Sequence, residues 1–251
     1  MAKIKLKLPG TLKQRKAKHR IENMKVGAEM DFSSSEAYNL LRTNVYFALP
    51  GKDSRVIGIT SSSPREGKSY TSINFAYTLA KDGKRVLLID GDMRKSSVAR
   101  KLKMKNSPGF SNVLADPALD AIQRNILIEN LDVLFAGDIP PNPSEMLGSE
   151  RLKEFVAEKK AEYDYIIVDL PPVNVVPDAL VLSSVLDGMI IVVRHNFTSK
   201  KALTESIKKL KFANVHILGC IYRGYSRKAT YYKKRGSYYS HYYYYGGDDK
   251  E

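Results

Sequence analysis

Residues 55–70 read RVIGITSSSPREGKSY, and this stretch decides the fold. Its first half is a short apolar run rich in β-branched residues, the composition of a buried strand. Its second half matches the phosphate-binding spacing G-x-x-x-x-G-K-[ST] from Ser62 to Ser69, apart from Ser62 in place of the first glycine. KSYTSINFAYTLAKDG then has helical spacing, with Gly83 as its stop. A strand before the loop and a helix after it are the context that gives such a match weight. The candidate nucleotide-binding residues are Ser63, Pro64, Arg65, Glu66, Gly67, Lys68, Ser69 and Tyr70. Gly67 lets the backbone approach a phosphate, and the loop and helix N–H groups point at the anion. Lys68 reaches the β- and γ-phosphates of a bound nucleotide, and the Ser69 hydroxyl can ligate Mg²⁺. Tyr70 stands out, because a second small hydroxyl residue is common at that position.

Working outward, KRVLLIDGD, LDVLFAG, YDYIIVDLPP, GMIIVVRH and VHILGCIY read as further strands, with helical patterns between most of them. Strands alternating with helices predict an α/β P-loop NTPase fold: a mainly parallel sheet with helices on both faces. Asp90 and Asp92 end one strand and Arg94 follows; Asp169 ends another, at a Walker B position. A lone strand-end aspartate is often only a helix cap. Three beside a P-loop point instead to Mg²⁺ binding and orientation of a nucleophile. Upstream, SSSEAYNLLRTNVYFALPG predicts a helix capped at Ser35 or a neighbouring serine, with Tyr38, Leu41, Val45 and Leu49 on one face. Pro50 and Gly51 stop it.

The chain has 251 residues, enough for one full α/β domain. Its net charge of +14 is unevenly placed: residues 1–25 carry +8, residues 222–236 carry +6, and residues 26–221 only +2. Basic ends commonly contact nucleic acid or anionic lipid. The near-neutral middle lacks a basic stripe, so no nucleic acid is expected. The N-terminal arm is instead expected to touch the anionic inner leaflet or an acidic partner, each Lys or Arg contributing ~1 kcal/mol near such a membrane. No apolar run approaches the roughly 18 to 20 residues of a membrane helix, and no signal peptide is evident. A cytoplasmic protein is expected. Cys220 reads as a buried small hydrophobe, and the four histidines lack metal-ligand spacing. The expected division is a basic flexible arm (1–32), a P-loop domain (33–224) and a flexible tail (225–251). That tail holds Tyr225, Tyr231, Tyr232, Tyr238, Tyr239, Tyr242, Tyr243, Tyr244 and Tyr245, nine of the 16 tyrosines.

Together ITSSSPREGKS, LLIDGDMRK, AGDIPPNPSEML, YIIVDLPP and the tyrosine tail resemble the cytoplasmic domain of bacterial tyrosine kinases (BY-kinases) of the capsule and exopolysaccharide type. AGDIPPNPSEML is the most discriminating. Locally, Asn142 suits a cap, Pro143 the first helical position and Glu145 the third. The resemblance implies an ATP- and Mg²⁺-dependent, non-specific protein-tyrosine kinase that phosphorylates tail tyrosines in a neighbouring copy and regulates polysaccharide synthesis and export. It implies catalytic roles for Lys68, Asp90 and Asp92, and Mg²⁺ binding by Ser69, Asp92 and Asp169. It also implies a separate membrane activator or co-polymerase subunit, a ring of copies when unphosphorylated, and a cognate tyrosine phosphatase. The chain would lie at the inner face of the membrane through its partner. The family's ring-forming E-x-x-R-x-x-R becomes Glu36, Asn39, Arg42 here, so the middle arginine is missing. Arg65 stands where a glycine is common, and CIYRGYS replaces the usual strand-end asparagine. A positioning or partitioning ATPase of the deviant-Walker class shares the fold, but carries a second lysine where this chain has Ser63. A non-catalytic pseudo-kinase scaffold is a further reading, against which Lys68, Ser69, Asp90, Asp92 and Asp169 stand intact.

Overall fold

The computed structural model describes residues 25–224; residues 1–24 and 225–251 lie outside it. The expected arm, apart from its last residues, and all nine tail tyrosines are therefore outside the described residues. Six strands form the sheet: β1 (Arg55–Ser61), β2 (Val86–Asp90), β3 (Leu131–Leu134), β4 (Tyr165–Asp169), β5 (Gly188–Arg194) and β6 (Ile217–Arg223). Their order is β3-β2-β4-β1-β5-β6, with every pairing parallel. The chain winds to one side of β1 and later to the other, so β1 lies where the direction of winding reverses. That is where open α/β sheets place their ligands.

The strands are near-continuous apolar runs because both faces are covered. Successive residues serve opposite layers. On β4, Ile166 and Val168 join the cluster containing Phe110, Phe155 and Leu210, whereas Ile167 joins Val45, Ile73 and Phe75. The second layer is supplied by α1 (Phe32–Ala48) and α2 (Lys68–Lys81). The first is supplied by α6 (Glu150–Glu162) and α8 (Lys200–Phe212) with the shorter α4 (Phe110–Ala115), α5 (Pro143–Leu147) and α7 (Asp178–Val181), whereas the short α3 (Val98–Leu102) packs into the second.

Three expectations change at the edges. The cap of α1 is Asp31, whose carboxylate accepts from the Ser34 amide at 2.9 Å. The serines fall inside the first turn, so the acceptor comes from the extended residue before them. Residues 25–32, assigned to the arm from sequence, belong to the packed body: the buried Gly27 amide donates to Asn74 Oδ1 at 3.0 Å, and Val26 and Met30 pack on the core. Cys220 is exposed, not buried. Strand β6 is an edge strand paired only with β5, and its side chains alternate between half-buried and exposed.

Burial predicts where substitutions hurt. Ile167→Ala, at a fully buried position between β1 and β2, should cost about 2–5 kcal/mol of unfolding free energy. Cys220→Ala should stay within about 0.5 kcal/mol of the parent. Urea titrations measure both, and a comparable cost for the two would contradict this packing.

Candidate active site

The loop from Ser62 to Gly67 leaves β1 and enters α2 at Lys68. Gly67 adopts φ +99°, a left-handed conformation that favours glycine, and precedes the helix. Its carbonyl accepts from the Thr71 amide at 3.1 Å, the Thr71 hydroxyl at 3.2 Å and Arg223 Nη1 at 3.0 Å. Arg65 also lies in the left-handed region, at φ +69°. That conformation explains why a glycine is common there, and costs a residue with a side chain about 1–2 kcal/mol. The Arg65 carbonyl is held by Arg194 Nη1 at 3.0 Å. Glu66, expected among the nucleotide-binding residues, turns its side chain inward. One of its oxygens accepts from the Ser62 and Ser63 amides at 2.8 and 3.1 Å, and the other from the Thr198 hydroxyl at 2.6 Å. Its side chain braces the loop. Pro64 and Arg65 are exposed at the loop's tip, Ser63 is half-buried, and Tyr70 is buried.

Parallel register brings the strand-end carboxylates together, since Asp90 and Asp169 are paired across β2 and β4. Lys68 Nζ lies 3.0 Å from Asp92 Oδ2 and 3.5 Å from Asp169 Oδ2. Asp169 Oδ1 accepts from the Ser72 hydroxyl at 3.0 Å. Asp90 is engaged by backbone: its oxygens accept from the amides of Asp92, Ser97 and Val98 at 3.3, 3.1 and 3.0 Å. The Ser97 hydroxyl reaches Ser69 Oγ at 2.7 Å. Burial, joined by the Asp169 carboxylate, pushes the Asp90 carboxyl up to about 7, against the pull of Lys68 and those amides. Burial alone would depress the Lys68 ammonium; Asp169, Asp92 and Asp90 outweigh it and hold its pKa above the ordinary lysine value.

The donor set fits a hard divalent cation beside a polyphosphate. Three buried carboxylates face one lysine, and a hydroxyl lies in the same space. Among the described residues no three acidic, histidine or cysteine side chains form a ready-made metal cage. Mg²⁺ would need only one or two of these carboxylates, with a hydroxyl, phosphates and water completing its shell.

Other contacts had only part of a signal in the sequence. The Arg94 guanidinium donates to the buried Asp178 at 2.8 Å and to the Ser144 hydroxyl at 2.9 Å, and Ser144 donates to Asp178 at 2.6 Å. This ties the DGDMR and PPNPSEML segments to one carboxylate. Asp178 was marked only by its place after Pro177 at a helix start. Asn142 caps α5 without a side-chain bond to its backbone; its amide reaches the Glu145 carboxylate instead. On α1, Glu36 accepts from Asn39 Nδ2 at 3.0 Å, and Arg42 pairs with Asp82 at 2.5 Å within the same chain. Phe32, Leu40, Tyr46 and Phe47 are exposed on that helix.

A parallel sheet with a P-loop on its central strand, opposite strand-end aspartates, defines a P-loop NTPase fold. The family model described as AAA domain matches residues 54–218. The tyrosine-protein kinase YwqD of Bacillus subtilis is 38% identical over 194 residues, covering 76% of this chain and 81% of that protein. The putative tyrosine-protein kinase in cps region of Klebsiella pneumoniae is 34% identical over 78% of this chain, which spans only 27% of that longer relative. Among solved structures, the kinase domain of Escherichia coli tyrosine kinase ETK superposes with a TM-score of 0.73 at 31% identity, covering 84% of this chain and 80% of that one. The septum site-determining protein MinD of Pyrococcus horikoshii, complexed with Mg-ADP, superposes with a TM-score of 0.57 at 25% identity, over 70% and 73%. The chain belongs to the family of bacterial tyrosine-protein kinases.

The raised pKa of Asp90 has a signed consequence for stability. Folded Asp90 keeps its proton up to about pH 7, whereas an unfolded aspartate loses it near pH 4. The stability this confers is complete below about pH 4 and is lost as pH rises through 7. Asp90→Asn cannot titrate, so its stability relative to the parent should improve between pH 5 and pH 8, by more than about 1 kcal/mol. Chemical denaturation at the two pH values measures this; a pH-independent difference would contradict it.

Proposed function

We propose that this chain transfers the γ-phosphoryl group of ATP, with Mg²⁺, to tyrosine hydroxyls, including those of the tail of a neighbouring copy. The observation that carries the reading is Lys68 on the P-loop helix, held between Asp92 and Asp169. In this reading the loop amides and Lys68 bind and orient the phosphates, so that catalysis is chiefly positioning and electrostatics. Ser69, Asp92 and Asp169 would hold Mg²⁺, which would supply positive charge beside the transferred group. Asp92 takes the phenol proton as the new oxygen–phosphorus bond forms and the bond to ADP breaks. A phenol of pKa ~10 needs such a base at neutral pH. Asp90 holds the turn that carries Asp92 and Ser97, a positioning role supported by its three backbone bonds.

The nine tail tyrosines are the proposed acceptors. Each phosphate adds about −1.5 to −2 charges, so full modification adds roughly −14 to −18. That is comparable with the chain's +14 and would separate copies assembled through α1. The exposed apolar residues of α1 support an interface between copies on that helix, with Glu36 and Arg42 at its polar side. Among the described residues no helix is long and apolar enough to cross a membrane. We infer a separate membrane activator, capsule or exopolysaccharide synthesis as the setting, a cognate phosphatase, and an anionic-membrane contact for residues 1–25.

Lys68→Met should abolish phosphotyrosine formation, because nothing else in the loop replaces that charge on the β- and γ-phosphates. Asp92→Ala should do the same. When a Lys68→Met chain is mixed with an active chain ending at Gly224, the inactive chain should gain phosphate. Label confined to chains with their own working P-loop would contradict transfer between copies, and undiminished phosphotyrosine in Lys68→Met would overturn the site.

A further inference from the structure

Tyr70, the residue after Ser69, departs from the small hydroxyl common in nucleotide P-loops, and two cations converge on its ring. Lys101 of α3 places its ammonium 4.9 Å from the ring centre, with the Ser97 carbonyl 3.5 Å away. Arg223, the last residue of β6, places its guanidinium 6.0 Å from the same centre and donates to the Gly67 carbonyl at 3.0 Å. A methyl group built on Gly67 would lie 1.6 Å from Arg223 Nη1, so the guanidinium rests directly against the loop. The ring itself is buried.

Two like charges on one aromatic ring repel each other, and the ring face attracts each only weakly. Burial also costs the Lys101 ammonium more than Asp169 and Asp90 return, which pushes it down to about 8. Such a pair is favourable beside an anion. Lys68 faces Asp92 and Asp169, and Ser69 faces Ser97, the set proposed for the terminal phosphates and the cation. The phosphate left over is the one next to the ribose.

We propose that Lys101 and Arg223 are nucleotide-binding residues that together take the α-phosphate of bound ADP or ATP, in place of the small hydroxyl displaced by Tyr70. This rests on the nucleotide-binding reading given above. Arg223 also steadies the left-handed turn that aims the loop amides, through its bond to the Gly67 carbonyl. Lys101 makes no bond to the loop, so its effect on affinity isolates the phosphate contact.

The test is titration of the full chain with a fluorescent N-methylanthraniloyl-ADP in the presence of Mg²⁺. Lys101→Gln, Arg223→Gln and Arg223→Lys are compared with the parent, and melting temperatures without nucleotide are recorded alongside. Loss of a charge-assisted hydrogen bond should raise Kd about tenfold in each glutamine variant. Arg223→Lys should recover most of the affinity, and Kd should depend less steeply on salt in the glutamine variants. If Arg223→Gln lowers the melting temperature, Lys101→Gln decides the matter. A parent that binds the probe while Lys101→Gln binds it within about twofold, with unchanged salt dependence, overturns the inference and leaves the kinase reading standing. A parent that binds no nucleotide overturns the kinase reading, and this inference with it.

Discussion

Three buried aspartates share a space with one lysine at the carboxyl ends of β2 and β4; even with Asp90 protonated, Asp92 and Asp169 outnumber Lys68, and the rest of the structure is arranged around that imbalance. A buried carboxylate without a partner costs several kcal/mol, so each of these must be answered by a hydrogen bond or a cation. Asp90 is answered by three amides, which fixes the turn after β2. Asp169 is answered by Ser72 and Lys68, which fixes the start of α2 against β4. Asp92 is answered by Lys68 and the Lys95 amide. The residual negative charge suits a divalent cation, and the amide-lined loop beside it suits the phosphates that the cation would bridge.

The loop is held by elements remote in sequence. Arg194 and Arg223, at the ends of β5 and β6, bind the carbonyls of Arg65 and Gly67. Thr198 reaches Glu66, which in turn holds Ser62 and Ser63. These contacts offset the cost of placing a side-chain residue at Arg65 in a left-handed conformation. They also bring the strand that leads into the tyrosine-rich segment against the phosphate-binding loop.

Much of this was legible in the residues. The strand–loop–helix reading of 55–81 and the parallel sheet follow from apolar runs bounded by turn residues, and they match the structure. Parallel register places Asp90 beside Asp169, the turn held by Asp90 carries Asp92 two residues further on, and Lys68 at the start of α2 reaches Asp92 and Asp169. Long-range polar pairing was not legible. Asp178 looks like a helix-start aspartate until the fold brings Arg94 to it, and Glu66 looks like a loop residue until Thr198 arrives. Cys220 misled because an apolar run signals burial, whereas β6 lies at an edge. The limit of the basic arm was placed too late, since Gly27 and Met30 carry no periodic signal and owe their packing to α2 and its core layer.

The same fold superposes on a septum site-determining protein complexed with Mg-ADP, so the fold alone does not separate transfer to tyrosine from transfer to water. The most direct measurement is incubation of the purified chain with ATP and Mg²⁺, following ADP release and mapping modified residues by mass spectrometry. The account predicts phosphate on tyrosines between Tyr225 and Tyr245, formed in step with ADP. ATP consumed to ADP and free phosphate, with no phosphotyrosine on the chain, would contradict it.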